Sequence, residues 1–337
     1  MGSNLNYLQK YRNMGKGLNS IPKLYHIFLI VTFLIAPIHA YAKNQKKSLI
    51  SYAKIQCDHI VESSGLVKSR KYPGVYWTHN DSGDSARIFA ITEYGKIIKP
   101  EWCKGTYEGI AIIDAFNIDW EDIATNSEGT LIIGDFGNNW NLRDDLCLYV
   151  IKEPNPYEDV KTNFIKKIPF TYPEQRNYHS KKKMNFDAEA LFVKKSKYYI
   201  LTKNRGNKKT RLYVLDERDD ISVTELRLVG RFNVNGLVTG ADVSDDGKRL
   251  VVLTYNSVWL FEIHNNTDDF FNGRTYRYRF TSKKLLEGIT CNNGEVIISD
   301  ESNNLYRLNV KEFLEITSEK TGRIPPSVKH KGLLQSD

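Results

Sequence analysis

Methionine is scarce in this chain, with three among 337 residues. Few methionines and scattered glycines argue against a long helical bundle. Ten prolines beside 15 Phe, 20 Tyr and 5 Trp exclude disorder, collagen and coiled coil. Of the four cysteines, Cys57, Cys103, Cys147 and Cys291, none forms a CxxC pair, which argues against a zinc site. Two disulfides with three possible connectivities, or four free thiols, both fit. A P-loop, a GxSxG elbow, an HExxH pair and a dinucleotide fingerprint are all missing. The DFG in Gly134–Gly137 has no kinase context.

Long apolar runs are lacking too, with one exception. Residues 27–38 are apolar apart from Thr32. They follow Lys23 and His26 and lead to Ala40-Tyr41-Ala42. A basic stretch, a short apolar core and a small-x-small end make a secretory signal, too short for a span of ~20 residues. The expectation is an exported chain, periplasmic or secreted, that begins near Lys43 and keeps no membrane segment. Met14 is an alternative start. An uncleaved N-terminal anchor is the other reading. The net charge of +8 shrinks outside this leader, where 44 of the 48 basic residues face all 40 acidic ones. No basic stripe stands out, so a nucleic-acid partner is not expected.

Three short patterns recur in fixed order. The first pairs a small or acidic residue with an aliphatic one, at Ser64–Leu66, Glu121–Ile123, Glu189–Leu191, Ala241–Val243 and Glu287–Ile289. The second is an apolar run with a small polar end, at 75–78, 131–134, 199–202, 251–254 and 296–299. The third centres on an aromatic, at Phe89, Tyr149, Tyr213, Trp259 and Tyr306. More variable β-like stretches lie between units, at 109–113, 164–171, 225–232 and 276–280. Four strands with a period near ~50 residues mark a propeller blade. The reading is an all-β propeller over 43–317, with a polar tail over 318–337. Five blades are favoured. Six require a degenerate blade in 100–118 or 154–180, and a β-sandwich is the competing fold. The last unit lacks a fourth strand and Leu49–Ile55 lacks a home, so the N-terminal strand is expected to close the ring.

The strings THNDSGD (78–84), NIDWEDIA (117–124), IIGDFGNN (132–139), NFDAEAL (185–191), LTKNRG (201–206), TGADVSDDGKRL (239–250) and LEGIT (286–290) carry a resemblance. The chain resembles exported bacterial β-propellers described as TolB-like or WD40-like. The resemblance implies a secreted propeller and no particular activity. A weaker architectural likeness is to calcium-dependent propeller hydrolases.

The start of a blade's first strand and the end of its second lie on one face. Glu121, Asp122, Asp187, Glu189, Asp242 and Glu287 fall at first-strand starts. His79, Asn80, Asp81, Asp135, Lys203, Asn204, Tyr255 and Asp300 fall at second-strand ends. Like charges packed in one channel raise each other's pKa, and a hard cation removes that penalty. Carboxylate and amide oxygens suit Ca²⁺, with Mg²⁺ possible. The expected ligands are Glu121, Glu189 and Glu287, with Asp135 and Asp300 beside them. Acids at strand ends also cap turns without any metal. His79 is the one histidine beside the ring and so a candidate base. Lys203 and Arg205 either hold an anion or neutralise the acids. Asn80, Asp81, Asp122, Asp187, Asn204, Asp242 and Tyr255 complete the expected ligand surface. Three functions fit: a monomeric module for a small anionic or glycan ligand or an envelope protein, a metal-dependent hydrolase of phosphoesters or lactones, and a structural envelope component.

Overall fold

The computed structural model describes residues 46–175, 184–216, 222–264 and 267–316. The leader, the Lys181–Lys183 run and the tail after 316 lie outside the described residues. The architecture belongs to the unit Ser48–Asp337. Among the described residues it is built from strands, with short 3-10 turns at Phe270–Asn272 and Val310–Glu312.

The strands form five antiparallel meanders. The first runs Ser63–Lys68, Val75–Asn80, Arg87–Thr92, with Ile97–Ile98 and Ile110–Ile113 sharing its outer edge. The second runs Trp120–Thr125, Thr130–Asp135, Cys147–Lys152, Lys161–Thr171. The third runs Ala188–Lys194, Lys197–Thr202, Thr210–Asp216, Arg227–Phe232. The fourth runs Val238–Val243, Arg249–Thr254, Ser257–Glu262, Thr275–Thr281. In the fifth, Leu286–Asn292, Glu295–Asp300 and Asn304–Asn309 receive their outer strand from Ala53–Lys54. Ala53 pairs antiparallel with Leu305, and Lys54 with Asn304. The N-terminal segment therefore covers an edge that would otherwise template aggregation. Stretches 100–118 and 154–175 contribute outer strands of the first two meanders. A parallel pairing of Ala111 with Lys161 joins those two edges.

The inner strands pack side by side in chain order, and Leu286–Asn292 returns to Ser63–Lys68. Lys68 N donates to Thr290 Oγ1 across that closure, at 2.9 Å. This ring of radially arranged meanders is a β-propeller. Each meander buries both faces against its neighbours, so its second strands read as continuous apolar runs, such as Leu250–Leu253 and Val296–Ile298. Apolar clusters fill every gap. One joins the fourth meander to the third through Phe232, Trp259, Phe261, Phe270 and Phe271. Another joins the fifth to the first through Leu66, Phe89, Ile297 and Leu305. Each fully buried Phe contributes roughly 1.5–3 kcal/mol of transfer free energy. The hairpin at Asn293-Gly294 explains its own sequence. Both residues are left-handed, at φ 48° and 87°, between the paired Asn292 and Glu295. That is the two-residue turn whose twist matches the strands.

Candidate functional site

Every inner strand breaks register at its start. The breaks fall between Ser63 and Leu66, Trp120 and Asp122, Ala188 and Ala190, Val238 and Gly240, and Leu286 and Gly288. The residues passed over in the last four are Glu121, Glu189, Thr239 and Glu287. A bulge re-aims its extra side chain. Repeated around a ring, it brings these residues to one channel mouth. The alignment read from sequence placed Ala241-Asp242 at this position in the fourth meander. The structure places Thr239 there. A slip of two residues keeps every side chain on its face, so hydrophobic alternation does not detect it.

Glu121 is the centre of the acidic group. Carboxylate oxygens of Glu121, Asp187 and Glu189 lie within 4.8 Å of one another, and so do those of Asp81, Asp119 and Glu121. The acids differ in their partners. Glu189 is paired with Lys203 Nζ at 2.8 Å, and both are buried. Arg205 Nε meets Asp187 Oδ2 at 2.8 Å, and its Nη2 meets Glu189 Oε1 at 3.5 Å and donates to Asn139 Oδ1. Asp187 Oδ1 also accepts from Asn138 N at 2.8 Å. Glu287 accepts from Tyr255 OH at 3.0 Å, and Lys203 Nζ stands 5.3 Å from the Tyr255 ring centre. Glu287 thus sits with Tyr255 and Lys203, apart from the Glu121 cluster. Glu121 is 6% exposed, yet among the described residues nothing donates to its carboxylate. A Cβ at Gly137 would meet the carboxylates of Glu121 and Asp119, which would have to move aside for it.

Burial chiefly sets the electrostatics. It lifts Glu121 well above the usual carboxylate range, and Glu189, Asp81, Asp187 and Asp119 add like charge. Glu189 is raised as well, because burial outweighs the attraction of Lys203. Glu287 is pushed up to about 7 by burial, against Lys203 and Tyr255. Asp119 rises to about 6 from burial and then from Asp81. Asp81 also rises by burial.

Other expected residues have different work. His79 has no exposed surface; its ring sits edge-on to Trp120 at 5.7 Å, with Nδ1 2.9 Å from Asn80 O. Burial pulls this imidazole down to about 4. A general base must reach its proton, and this ring is enclosed by protein. Asn80 braces a turn: it accepts from Val61 N and donates to His59 O and Asp84. Asp300 accepts from Asn304 N, Asn304 Nδ2 and Tyr306 OH, bonds that cap the strand end, and it is not grouped with the Glu121 acids. Asp135 Oδ1 pairs with Arg143 Nη1 at 2.9 Å and accepts from Asp119 N at 3.1 Å, and Asp135 is not grouped with the Glu121 acids, although its charge still acts on Asp119. Asn204 is a left-handed turn residue at φ 46° whose side chain reaches Asn207.

Asp122 and Asp242 lie deeper in the channel. Asp122 accepts from Ile123 N and, across the ring, from Leu191 N and Ala241 N, at 2.9, 2.8 and 3.5 Å. Those three amides are equivalent by the bulge register. Asp242 accepts from Val243 N, Thr290 Oγ1 and Cys291 N. Both staple inner strands together and are not open to a ligand. Sequence reasoning missed Asp119, Gly137 and Asn139. Asp119 stands two residues before Glu121, and strand alternation alone would have put both on one side. Trp77 and Trp120 are core, whereas Trp140 is 64% exposed three residues after Gly137. All four cysteines are free.

The fold and site define an all-β propeller with an acidic channel mouth. No family model matches the chain. No curated protein matches it either. Among solved structures it is similar to one described as a crystal structure of a nidogen/laminin complex. That match has 12% identity and a TM-score of 0.41, and covers 78% of this chain and 81% of that one. The propeller assignment rests on strand order and pairing. Among the described residues no helix is long and apolar enough to cross a membrane.

Proposed function

We propose that this chain is an exported five-bladed propeller whose acidic mouth holds a hard divalent cation, Ca²⁺ before Mg²⁺, and serves as a ligand- or partner-binding module. The observation that carries the reading is Glu121, a buried carboxylate to which none of the described residues donates, facing four other acids. Burying an unpaired carboxylate is costly, and a bound cation offsets that cost. An all-oxygen donor set without His or Cys fits Ca²⁺. Export is supported by the basic, apolar and small-residue order of 23–42. The ligand class is a small anion or glycan, which would complete the cation's coordination, or an envelope protein. A hydrolase would need a base at the mouth; His79 is sealed away from it, so that role would fall to a carboxylate such as Asp119.

The test is thermal melting of the metal-stripped chain with Ca²⁺, Mg²⁺ or chelator. Ca²⁺ should raise the melting temperature of the parent and do so much less for Glu121→Gln. An unchanged parent melting temperature at millimolar Ca²⁺ rejects the reading.

A further inference from the structure

The acids at the mouth form two groups that share Glu121, and among the described residues only the inner one holds direct ion pairs. On the inner side Glu189 holds Lys203 Nζ at 2.8 Å, and Asp187 holds Arg205 Nε at 2.8 Å. Lys203 is 4% exposed, and Tyr255 ties it to Glu287: the ring faces the ammonium while the hydroxyl donates to the carboxylate. Among the described residues the Asp119 side chain on the outer side has no hydrogen-bond partner, and the Asp81 carboxylate accepts only the amide of Ser82, at 2.6 Å. Arg143, whose charge reaches Asp119, is engaged by Asp135, Asp145 and Gly137 O. Glu121 is nine-tenths buried, its carboxylate accepts from none of the described residues, and one of its oxygens lies within 4.8 Å of both outer acids.

We propose that the mouth takes a single exchangeable cation, on Asp81, Asp119 and Glu121, because the Lys203 ammonium already occupies the place a second would take between Glu189 and Glu287. The inference rests on the cation-binding reading above and adds position and number to it. Lys203 is then a resident counter-ion that keeps the inner acids from competing for metal. The exchangeable cation sits where the half-exposed Asp81 and Asp119 leave room for water or a ligand oxygen. With one oxygen from each, the three carboxylates supply three of the ~6–8 oxygens that Ca²⁺ takes, so open positions remain for a ligand.

Calorimetric titration of the metal-stripped full chain with Ca²⁺ decides it. The parent should bind one Ca²⁺. Asp119→Asn should weaken binding by about ten- to a hundredfold or more, as changes at metal sites do. Glu287→Gln should leave the affinity within a factor of about three, a shift small on the same scale. Lys203→Gln should bind a second Ca²⁺. If that variant does not fold, the Asp119 and Glu287 variants still decide the position. Parent-like binding by Asp119→Asn together with loss in Glu287→Gln overturns the assignment and leaves cation binding standing. Two ions on the parent overturn it as well. No binding to the parent rejects the cation reading itself.

Discussion

Glu287 and Glu121 occupy one repeat position, yet their surroundings give them different chemistry. Glu287 faces Lys203, Tyr255, Glu301 and Asp81, and burial lifts it from 4.5 to about 7. Between those values the folded chain keeps a proton that the unfolded chain has lost. Stability from this group therefore falls as pH rises through that window and levels off above it. Glu287→Gln removes the slope. Parent and variant should melt alike near pH 5, and the variant should be more stable at pH 8 by at most ~3 kcal/mol. His79 has the opposite sign. Its lowered value of about 4 means the unfolded chain takes the proton first, so its contribution grows as pH rises from about 4 to 6.5. Comparing parent with variant cancels that term. Denaturant melts at both pH values give the answer, and a constant difference would show that Glu287 does not titrate as its burial implies. At this scale the sequence was legible wherever a residue type alone dictates chemistry, as with the glutamates. It was not legible where the outcome hung on a neighbour. Asp135 and Asp300 look equivalent on paper, but Arg143 takes one, and Asn304 and Tyr306 take the other.

At the scale of elements, the bulge does the positioning. It lifts Glu121 out of the ladder, and Gly137 leaves room for the carboxylate from the loop above. Gly137→Ala should force Glu121 or Asp119 aside at a cost of about 1–3 kcal/mol, typical of overpacking. It should weaken Ca²⁺ binding in the same variant. Melting and titration of one preparation test both, and unchanged values would mean the loop yields freely. The closing strand makes a separate case. Ala53–Lys54 is short, but Tyr52 N and Ile55 N also bond to Leu305 O and Asn303 O, at 2.9 and 2.7 Å. Deleting residues 48–58 should bare the edge at Asn304–Leu305 and cause aggregation at temperatures where the parent stays soluble. Light scattering on heating checks this, and a soluble deletion with parental melting would remove the strand from the ring's support. Both this strand and the outer strands were legible, because a unit with three strands and a stray β-like segment leave one economical pairing. The fourth bulge was not. Two small residues, Gly240 and Ala241, mimic the start of the pattern one pleat too late.

The whole molecule couples these parts through its axis. Glu121, Glu189 and Glu287 crowd the mouth, and beneath them Asp122 and Asp242 bond amides of strands that are distant in sequence. A charge change at the mouth is therefore felt by strands from several meanders. Without metal, Glu121, Asp119 and Asp81 all hold a proton more tightly than a free carboxylate does, and a cation must displace it. Proton and cation compete for the same oxygens. Calcium should consequently stabilise the chain little at pH 5 and progressively more toward pH 8, as Asp119 passes about 6. At a hundredfold excess over the dissociation constant the gain should approach ~2.7 kcal/mol, the value for a ligand that binds only the folded state. Asp119→Asn should flatten the calcium-dependent part of this profile, whereas Glu287→Gln should leave it in place. Melting curves at fixed ionic strength across the pH range, with calcium or chelator, separate this from general screening. A calcium effect equal at pH 5 and pH 8 would mean the ion binds elsewhere on the surface, and the crowded acids would then be held by Lys203, Arg205 and protons alone.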